Sequence, residues 1–249
     1  MRTSIHGNKD EILVTDGKLI YLSHWAFTPE LERVYDLQQH QDHLMTESFM
    51  LDDAKHHRSY WTLSVLVPAD RQVPRVAIPD GDLIAMEDDK VYGIRVLRTA
   101  ADDGSVNPAE SGFSFFSMTR HAKEAPSAKP PRKSRPDRRK RPQSAAVSKY
   151  DYYENWITGI HVNPDAMLLD EDHVFVAGTP NAYPDDDIYQ AVEGRMGGLL
   201  VVASKEDGKE LARYHLDAAP TWDGMSAADG KLFVSLKNGS VICYGRKKP

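Results

Sequence analysis

Cysteine and long apolar runs are both scarce in this sequence. Its single cysteine, Cys243, excludes an internal disulfide framework and any zinc site built from several cysteines. The longest apolar stretch, GGLLVVA, is far shorter than the roughly 20 residues of a membrane-spanning helix. The first residues, MRTSIHGNKDEILVTDGK, carry charges where a signal peptide needs an unbroken apolar stretch. We therefore predict no membrane span, and a cytoplasmic protein if Met1 is the true start; a fragment of an exported protein stays the alternative.

Common catalytic and metal-binding motifs are also missing. The sequence contains no G-x-S-x-G, no G-x-x-x-x-G-K-[ST], no G-x-G-x-x-G and no H-E-x-x-H. His40 and His43 are spaced to share a metal on one helical turn, and His56-His57 adds two imidazoles, but we interpret all four as loop histidines. The run Asp185–Asp187 lacks the alternating ligands of an EF-hand and is interpreted as a capping or solvated loop. We predict no metal site and no catalytic residues.

Charge is distributed unevenly along the 249 residues. The run Lys129–Arg141 has eight basic residues and one acid, so it carries +7 and leaves −13 for the rest of a chain of net charge −6. It lies in a Pro-rich tract that has too few large apolar residues to offset its ordering entropy. We predict blades at residues 1–98 and 151–249, separated by a flexible insertion at 99–150 that trypsin cuts first between Lys123 and Lys149. Phe113, Phe115 and Phe116 are the exception, since they could dock on the body.

One phrase recurs four times along the remaining sequence. In each copy an apolar run leads into a short polar turn and a second apolar run leads out. The copies are ILVTDGKLIYLSH (12–24), LIAMEDDKVYGIRV (83–96), AMLLDEDHVFVAG (166–178) and GMSAADGKLFVSL (224–236). Asp16-Gly17 and Asp229-Gly230 fit a two-residue hairpin turn, whose central residues both have positive φ. The copies without glycine, at Asp88-Asp89 and Glu171-Asp172, predict a longer or type I turn.

Repeated hairpins without helices between them indicate an all-β fold. We predict a β-propeller or partial β-propeller of about three or four blades built from antiparallel hairpins, with the stretch from Thr28 to Trp61 as a second insertion. An antiparallel sandwich with fortuitously similar hairpins is the alternative. Ser240–Tyr244 should pair with Leu232–Leu236, and a closed ring would pair the far edge of that blade with Ile12–Leu22. We expect the ring to be open, so that missing blades or another chain would complete it.

The end of the chain carries a resemblance to a known family. The stretch GGLLVVASKEDGKELARYHLDAAPTWDGMSAADGKLFVSLKNGSVICYG (197–245) resembles the last blades of a PQQ-repeat-type β-propeller, of the quinoprotein alcohol dehydrogenase-like superfamily. Asp207, Gly208 and Lys209 match its D-x-x-T-G-K-x-x-W phrase, with Tyr214 near the usual Trp. HLMTESFMLDDAKHHRSYWTLSV, GDLIAMEDDKVYGIRVL and DDDIYQAVEGRMGG are similar to the C-terminal part of the large PQQ-like repeat proteins of planctomycete-type bacteria. The resemblance covers residues 12–97 and 156–245.

The resemblance implies a fold but not the family's cofactor. Quinoprotein dehydrogenases hold the quinone between a Trp and a vicinal disulfide, and hold Ca²⁺ with Glu, Asn and Asp. One cysteine cannot form that disulfide, and Trp25, Trp61, Trp156 and Trp222 lie in no identifiable cofactor motif. We therefore expect neither PQQ nor Ca²⁺ as a cofactor.

Two polar-aromatic clusters are the candidate binding residues. Arginine beside Trp or Tyr makes a binding patch because guanidinium stacks on the ring and offers a planar set of donors. The clusters are Asp52, Asp53, Arg58, Tyr60 and Trp61, and then Glu193, Arg195, Trp222 and Asp223. Pinning of loops by buried Arg–carboxylate pairs is the alternative role for both.

The function that follows is a non-enzymatic binding or scaffold module. An oxidoreductase-like or hydrolase-like enzyme with a site on the central face of the propeller is the alternative, and would bring several titratable groups together there. The ligand is a protein or small molecule that the sequence does not identify. Nucleic acid or an acidic partner would bind only through Lys129–Arg141, which has no aromatic residue for base stacking.

Overall fold

A computed structural model describes residues 12–22, 25–35, 43–46, 61–64, 79–96, 112–122, 150–181, 190 and 194–245. The strands pair only antiparallel, in five sheets, and each sheet uses consecutive strands of the chain. The predicted all-β class is therefore confirmed. In these residues the sheets form neither a closed barrel nor a closed ring.

The first two sheets are short. Sheet 1 contains β1 (Val14–Thr15), β2 (Ile20–Leu22), β3 (Trp25–Phe27) and β4 (Arg33–Val34). Sheet 2 contains β5 (His43–Thr46), β6 (Trp61–Ser64) and β7 (Asp80–Gly81). An insertion was predicted from Thr28 to Trp61. This prediction is wrong for β4 and β5, which lie in that range and are strands of sheets 1 and 2. No copy of the recurring phrase marks sheet 2.

The other three sheets hold the longer strands. Sheet 3 contains β8 (Leu83–Glu87), β9 (Lys90–Val96), β10 (Phe113–Ala122) and β11 (Tyr150–Ile160). Sheet 4 contains β12 (Val162–Leu169), β13 (His173–Pro180), β14 (Gly198–Ser204) and β15 (Glu210–Leu216). Sheet 5 contains β16 (Pro220–Ala228), β17 (Lys231–Leu236) and β18 (Val241–Gly245). Each of the four phrase copies therefore forms the first hairpin of a sheet.

Sheet 4 is apolar on both faces because it packs between two other sheets. Successive side chains of a strand point to opposite faces. Val174 and Val176 of β13 pack with sheet 3, whereas Phe175 and Ala177 pack with sheet 5. The two central strands of sheet 4, β13 and β14, therefore consist of nearly continuous apolar runs, as expected of strands buried on both sides.

Contacts of the same kind join the earlier sheets. Phe116 of β10 is fully buried, its ring lies over Gly93, and Arg95 from the same face forms an ion pair with Asp80 of sheet 2 at 2.9 Å. Sheet 2 meets sheet 1 where the rings of His43 and Tyr21 stack with centroids 4.1 Å apart. His43 is thus a packing residue of a strand and not the loop histidine predicted. The five sheets form one continuous stack in chain order.

The first strands of three sheets lie side by side. β12 packs between β8 and β16, so the strands that begin sheets 3, 4 and 5 are neighbours. β18 pairs with β17, as predicted for Ser240–Tyr244. Residues 14–15 and 20–22, the described strands of the region considered for closing a ring, pair within sheet 1 instead. Within the described residues the stack is therefore open.

The turns agree only partly with prediction. Asp229 and Gly230 both have positive φ, 51° and 68°, in a two-residue turn as expected. The first copy differs: the loop spans residues 16–19, and in it only Gly17 has positive φ. Asp88 and Asp89 form a two-residue turn in which Asp88 has φ 52°, so the longer or type I turn predicted there is wrong. The loop around Glu171 is longer, as predicted.

Part of the predicted insertion is core. Within the predicted range 99–150, β10 is buried over most of its length, and Phe113, Phe115 and Phe116 are among its buried residues. The exception made for the three Phe residues is therefore confirmed: Phe113 and Phe115 pack with sheet 4, and the Phe116 ring lies under the Arg95 guanidinium. The flexible insertion stays a prediction for the rest of the range. The basic run Lys129–Arg141 lies outside the described residues. β10 and β11 pair up to Ala122 and Tyr150, so residues 123–149 connect two adjacent strand ends.

Replacing residues 123–149 by a short turn should leave the fold intact. The two strand ends already lie side by side, and a shorter loop loses less entropy on closure. We expect the free energy of unfolding, measured by urea denaturation, to stay the same or rise by about 1.5 kcal/mol. A fall of that size would show that the removed residues pack on the sheets.

Asp16 couples the first turn to pH. Burial raises the pKa of its carboxyl, but hydrogen bonds from the N–H groups of Leu19 and Lys18 and from the Tyr21 hydroxyl outweigh burial and hold the pKa below its ordinary value. Because the pKa is lower in the folded state, the carboxylate stabilises the protein at pH values above its unfolded-state pKa of about 3.9. This contribution is lost as the pH falls from there through the folded-state pKa. The group is largely exposed, so the contribution is below about 1 kcal/mol.

Asp16→Asn should therefore destabilise the protein at pH 7 and have little effect at pH 3. The measurement is urea denaturation at both pH values. Asp229→Asn, which alters an exposed carboxylate in the Asp-Gly turn of sheet 5, is the matched control. An equal loss at both pH values would assign the effect to the hydrogen bonds of the turn and not to the charge.

Candidate functional site

The first predicted cluster lies mostly outside the described residues. Asp52, Asp53, Arg58 and Tyr60 are not described. Trp61 is half-buried in β6, where it pairs with Thr46 on one side and Gly81 on the other. The prediction of a binding patch around Trp61 therefore stays a prediction.

The second cluster is brought partly together at one end of sheets 4 and 5. Glu193 is not described, and Arg195 is exposed in the turn that precedes β14. Three glycines of this segment, Gly194, Gly197 and Gly198, lie so close to residues 216–220 that a Cβ at any of them would overlap that chain. The turn of Arg195 is thus packed against the segment that leads into β16, where Trp222 and Asp223 follow.

A β-bulge presents Trp222 and Asp223. The register of β16 against β17 shifts between Pro220 and Met225, and Asp223 has φ 50°. Positive φ is unfavourable for a residue with a Cβ, although Asp tolerates it better than most. Strained residues of this kind are concentrated at ligand-binding sites and persist where the surrounding structure holds them. The hydroxyl of Thr221 donates to the Ser235 carbonyl at 3.4 Å and helps to hold the bulge.

The neighbouring first strand has a bulge of its own. The register of β12 against β13 shifts between Pro164 and Ala166, which makes Asp165 the bulged residue. Asp165 is 0% exposed, and Asn163 and its cross-strand partner Thr179 are also buried. The polar residues of β12 thus lie in its first half, at the end of the sheet where the turn of Arg195 packs. Arg195, Trp222 and Asp223, together with the buried Asn163, Asp165 and Thr179, are called the bulge end.

Sequence reasoning missed the buried residues of the bulge end. Asn163, Asp165 and Thr179 were not among the candidates, although a signal was present: Asn-Pro-Asp interrupts an otherwise apolar strand. Proline is disfavoured within a central strand except at a bulge. Chemically, the exposed Arg195 guanidinium and Asp223 carboxylate lie at this end with the half-buried indole of Trp222, whereas Asp165 is buried. Such a set can bind a ligand that has polar groups of both charges.

The opposite end of sheets 3 and 4 is held by a lysine. The Lys205 ammonium forms an ion pair with Glu87, donates to the Asp170 carbonyl at 2.7 Å and lies 5.6 Å from the centroid of the Tyr92 ring. Burial raises the pKa of the Tyr92 hydroxyl. These contacts join strands of both sheets around an aromatic core, and we assign them a structural role.

A second aromatic group, also missed from the sequence, lies on sheet 1. The Arg33 guanidinium carbon is 4.7 Å from the Trp25 ring centroid and 4.9 Å from that of Tyr35. Both rings are exposed, Trp25 by 41% and Tyr35 by 76%. The described residues include no carboxylate paired with Arg33.

The expectation of neither PQQ nor Ca²⁺ stays a prediction. Cys243 is exposed on β18, away from Trp156, which is packed between sheets 3 and 4. Among the described residues, no three His, Cys, Asp or Glu side chains lie close enough together to hold a metal. No helix in the described part of the chain is long and apolar enough to cross a membrane.

The fold and the bulge end define an all-β protein of stacked antiparallel sheets with one polar, strained end. Comparison with known proteins adds no relative: no protein-family model matches the chain, and no curated protein matches it.

Proposed function

We propose that the chain is a PQQ-repeat-type β-propeller module, complete or partial, that acts as a non-enzymatic binding or scaffold domain. The support for the propeller is the order of the sheets: consecutive strands form each sheet, each sheet packs on the next, and β8, β12 and β16 lie side by side. First strands that line a common centre are the arrangement of propeller blades.

A contact between sheets 3 and 4 supports the same proposal. The Trp156 ring of β11 lies on Gly208 in the D-G-K turn of the next sheet, and its indole N–H donates to the Lys205 carbonyl at 3.1 Å. Gly208 has φ 71° and Asp207 accepts from the Lys209 N–H, so the residues that match the repeat phrase have the turn geometry expected of them. A contact in which a Trp of one sheet packs on the turn glycine of the next can recur between successive blades of a propeller.

The single observation that carries the binding role is the pair of adjacent bulges at the bulge end. Bulges occur next to binding sites because they re-aim side chains that a regular strand would point elsewhere. Here Trp222 and Asp223 follow the segment that packs against the turn of Arg195, and the buried Asp165 lies in the adjacent strand β12. A partner would gain the indole face as an apolar contact and the guanidinium as a planar donor.

The test is a comparison of two arginine variants in partner capture. Immobilised wild-type protein, Arg195→Ala and Arg213→Ala are exposed to an extract, and retained proteins are quantified. Arg213 is an exposed arginine of β15 bound to Glu210, which makes it a matched control. We expect a partner that wild type and Arg213→Ala retain and Arg195→Ala loses, and a dissociation constant for the purified partner raised about tenfold or more by Arg195→Ala.

Two outcomes would contradict the proposal. A partner retained equally by all three proteins would place binding outside the bulge end. Tight stoichiometric binding of the quinone, or dye reduction that depends on the quinone, Ca²⁺ and an alcohol, would contradict the non-enzymatic assignment. Melting temperatures of the three proteins serve as the check on folding.

A further inference from the structure

The turn between β17 and β18 contains the only Asn-Gly pair of the sequence, Asn238-Gly239. Residues 237–240 are all exposed. Gly239 has φ 85°, and no atom lies within 4 Å of the position that a Cβ on it would take. The Asn238 side chain is therefore open to water, and nothing crowds the glycine that follows it.

Asn-Gly is a reactive pair because its two residues can close a five-membered ring. The main-chain nitrogen of the glycine loses its proton and adds to the side-chain carbonyl carbon of the asparagine, and glycine has no side chain to hinder the approach. Ammonia leaves, and a cyclic imide remains. Water then opens the imide at either carbonyl and gives aspartate or isoaspartate. The net reaction hydrolyses one amide, so it consumes one water molecule and needs no oxidant or reductant.

The structure adds two donors to the oxygen on which charge develops. The Ser240 N–H donates to Oδ1 of Asn238 at 3.0 Å, and the Ser240 hydroxyl donates to the same atom at 2.7 Å. Addition of the glycine nitrogen converts this carbonyl oxygen into an oxyanion, and donors fixed at such an oxygen stabilise the transition state. Ser240 is itself held by the hairpin, because its carbonyl accepts from the Leu236 N–H at 2.9 Å.

One hydrogen bond of the turn opposes the reaction. The Gly239 N–H donates to the Leu236 carbonyl at 3.0 Å, and this bond must open before the nitrogen can lose its proton. Gly239 is exposed, so water can take the place of the carbonyl, and the exchange costs little because a new hydrogen bond replaces the old one. The bond therefore slows the reaction of the folded protein without preventing it.

We propose that Asn238 is a modification site, which the turn converts to aspartate or isoaspartate with water as the only co-reactant, and that Ser240 promotes the step as the oxyanion donor. The product alters the last hairpin. The Gly239 nitrogen carries no proton in the imide, and isoaspartate adds one carbon to the main chain of the turn, so the register between β17 and β18 is disturbed. Neither Asn238 nor Ser240 belongs to the bulge end, and the proposed binding role does not depend on this inference.

The experiment follows residue 238 over time in folded wild type and in Ser240→Ala. Both proteins are incubated at mildly alkaline pH, and mass spectrometry of their peptides gives the fraction of aspartate and isoaspartate. We expect wild type to be modified and Ser240→Ala to react about fivefold more slowly, because one of two hydrogen bonds to the oxyanion is lost. Asn163 is the internal control, since the nitrogen of Pro164 has no proton to lose.

The same pair in guanidinium chloride separates the structure from the sequence. In the unfolded chain the Ser240 hydroxyl is no longer fixed at Oδ1, so wild type and Ser240→Ala should react at similar rates. Folded wild type that stays unmodified, a folded alanine variant that reacts as fast as wild type or faster, or the same difference between the unfolded chains would each overturn the proposal.

A second pair of variants covers the case in which Ser240→Ala changes the shape of the turn. Ser240→Thr keeps the hydroxyl, and Ser240→Val has nearly the same shape without it. We expect Ser240→Thr to react at about the wild-type rate and Ser240→Val to be about fivefold slower. Equal rates for these two folded variants would contradict the role of the hydroxyl. Circular dichroism checks that each variant is folded.

Discussion

Trp156→Ala should lower the free energy of unfolding by about 3 kcal/mol, because it empties a site between two sheets. The indole packs on Gly208, meets the Phe115 ring edge-on at 4.8 Å and donates to the Lys205 carbonyl. Its loss leaves a cavity beside Tyr92 and removes the hydrogen bond that connects β11 to the next sheet. Urea denaturation monitored by circular dichroism measures the change.

Gly208→Ala should be destabilising for a related reason. A Cβ at Gly208 would lie 2.5 Å from Cζ3 of the Trp156 ring, and φ at this position is 71°. We expect a loss of about 3 kcal/mol, of which roughly 1 kcal/mol is the cost of positive φ and the rest is the clash.

The double variant separates the two contributions. With Trp156 already alanine, the clash with the ring is gone and only the 3.0 Å approach to Thr158 Cγ2 remains, so Gly208→Ala should cost only about 1 kcal/mol. The coupling energy of the cycle therefore measures the docking of the ring on the glycine. Strict additivity of the two losses would show that Trp156 and Gly208 do not act as one contact.

Gly178→Ala should also cost about 3 kcal/mol or more, through the backbone of the bulge in β12. A Cβ on Gly178 would overlap the Asn163 carbonyl oxygen and lie 3.0 Å from the Pro164 Cα. These are backbone atoms, so no side-chain rotation relieves the overlap. The strand must move, and the bulge at Asp165 must move with it.

Gly159→Ala is the matched control for Gly178→Ala. Gly159 also lies in a strand, a Cβ there would have no atom within 4 Å, and φ is not positive. Because alanine restricts the unfolded chain more than glycine does, we expect no loss and a gain of up to about 0.5 kcal/mol. A loss at residue 178 no larger than the change at residue 159 would contradict the close approach of β12 and β13.

The sequence predicted features that depend on neighbouring residues. Asp229-Gly230 forms its two-residue turn because both residues tolerate positive φ, and each phrase copy forms a hairpin because its apolar runs flank a polar turn. The apolar residues at successive positions of β13 and β14 pack on both faces of sheet 4, and local runs of this kind are typical of strands buried on both sides. Arg195, Trp222 and Asp223 were identified as candidates because Arg and Trp are themselves informative residue types.

The tertiary structure decided everything that depends on residues far apart in the chain. β10 and β11 pair across residues 123–149, and no local pattern specifies which strand a Phe-rich run will join. Sheet 2 has short strands without a turn signal, and its place between sheets 1 and 3 depends on Tyr21, His43 and the Asp80–Arg95 pair. The burial of Asp165 likewise follows from β8 and β16 packing on either side of β12, because burial is a property of the neighbours that long-range pairing assembles.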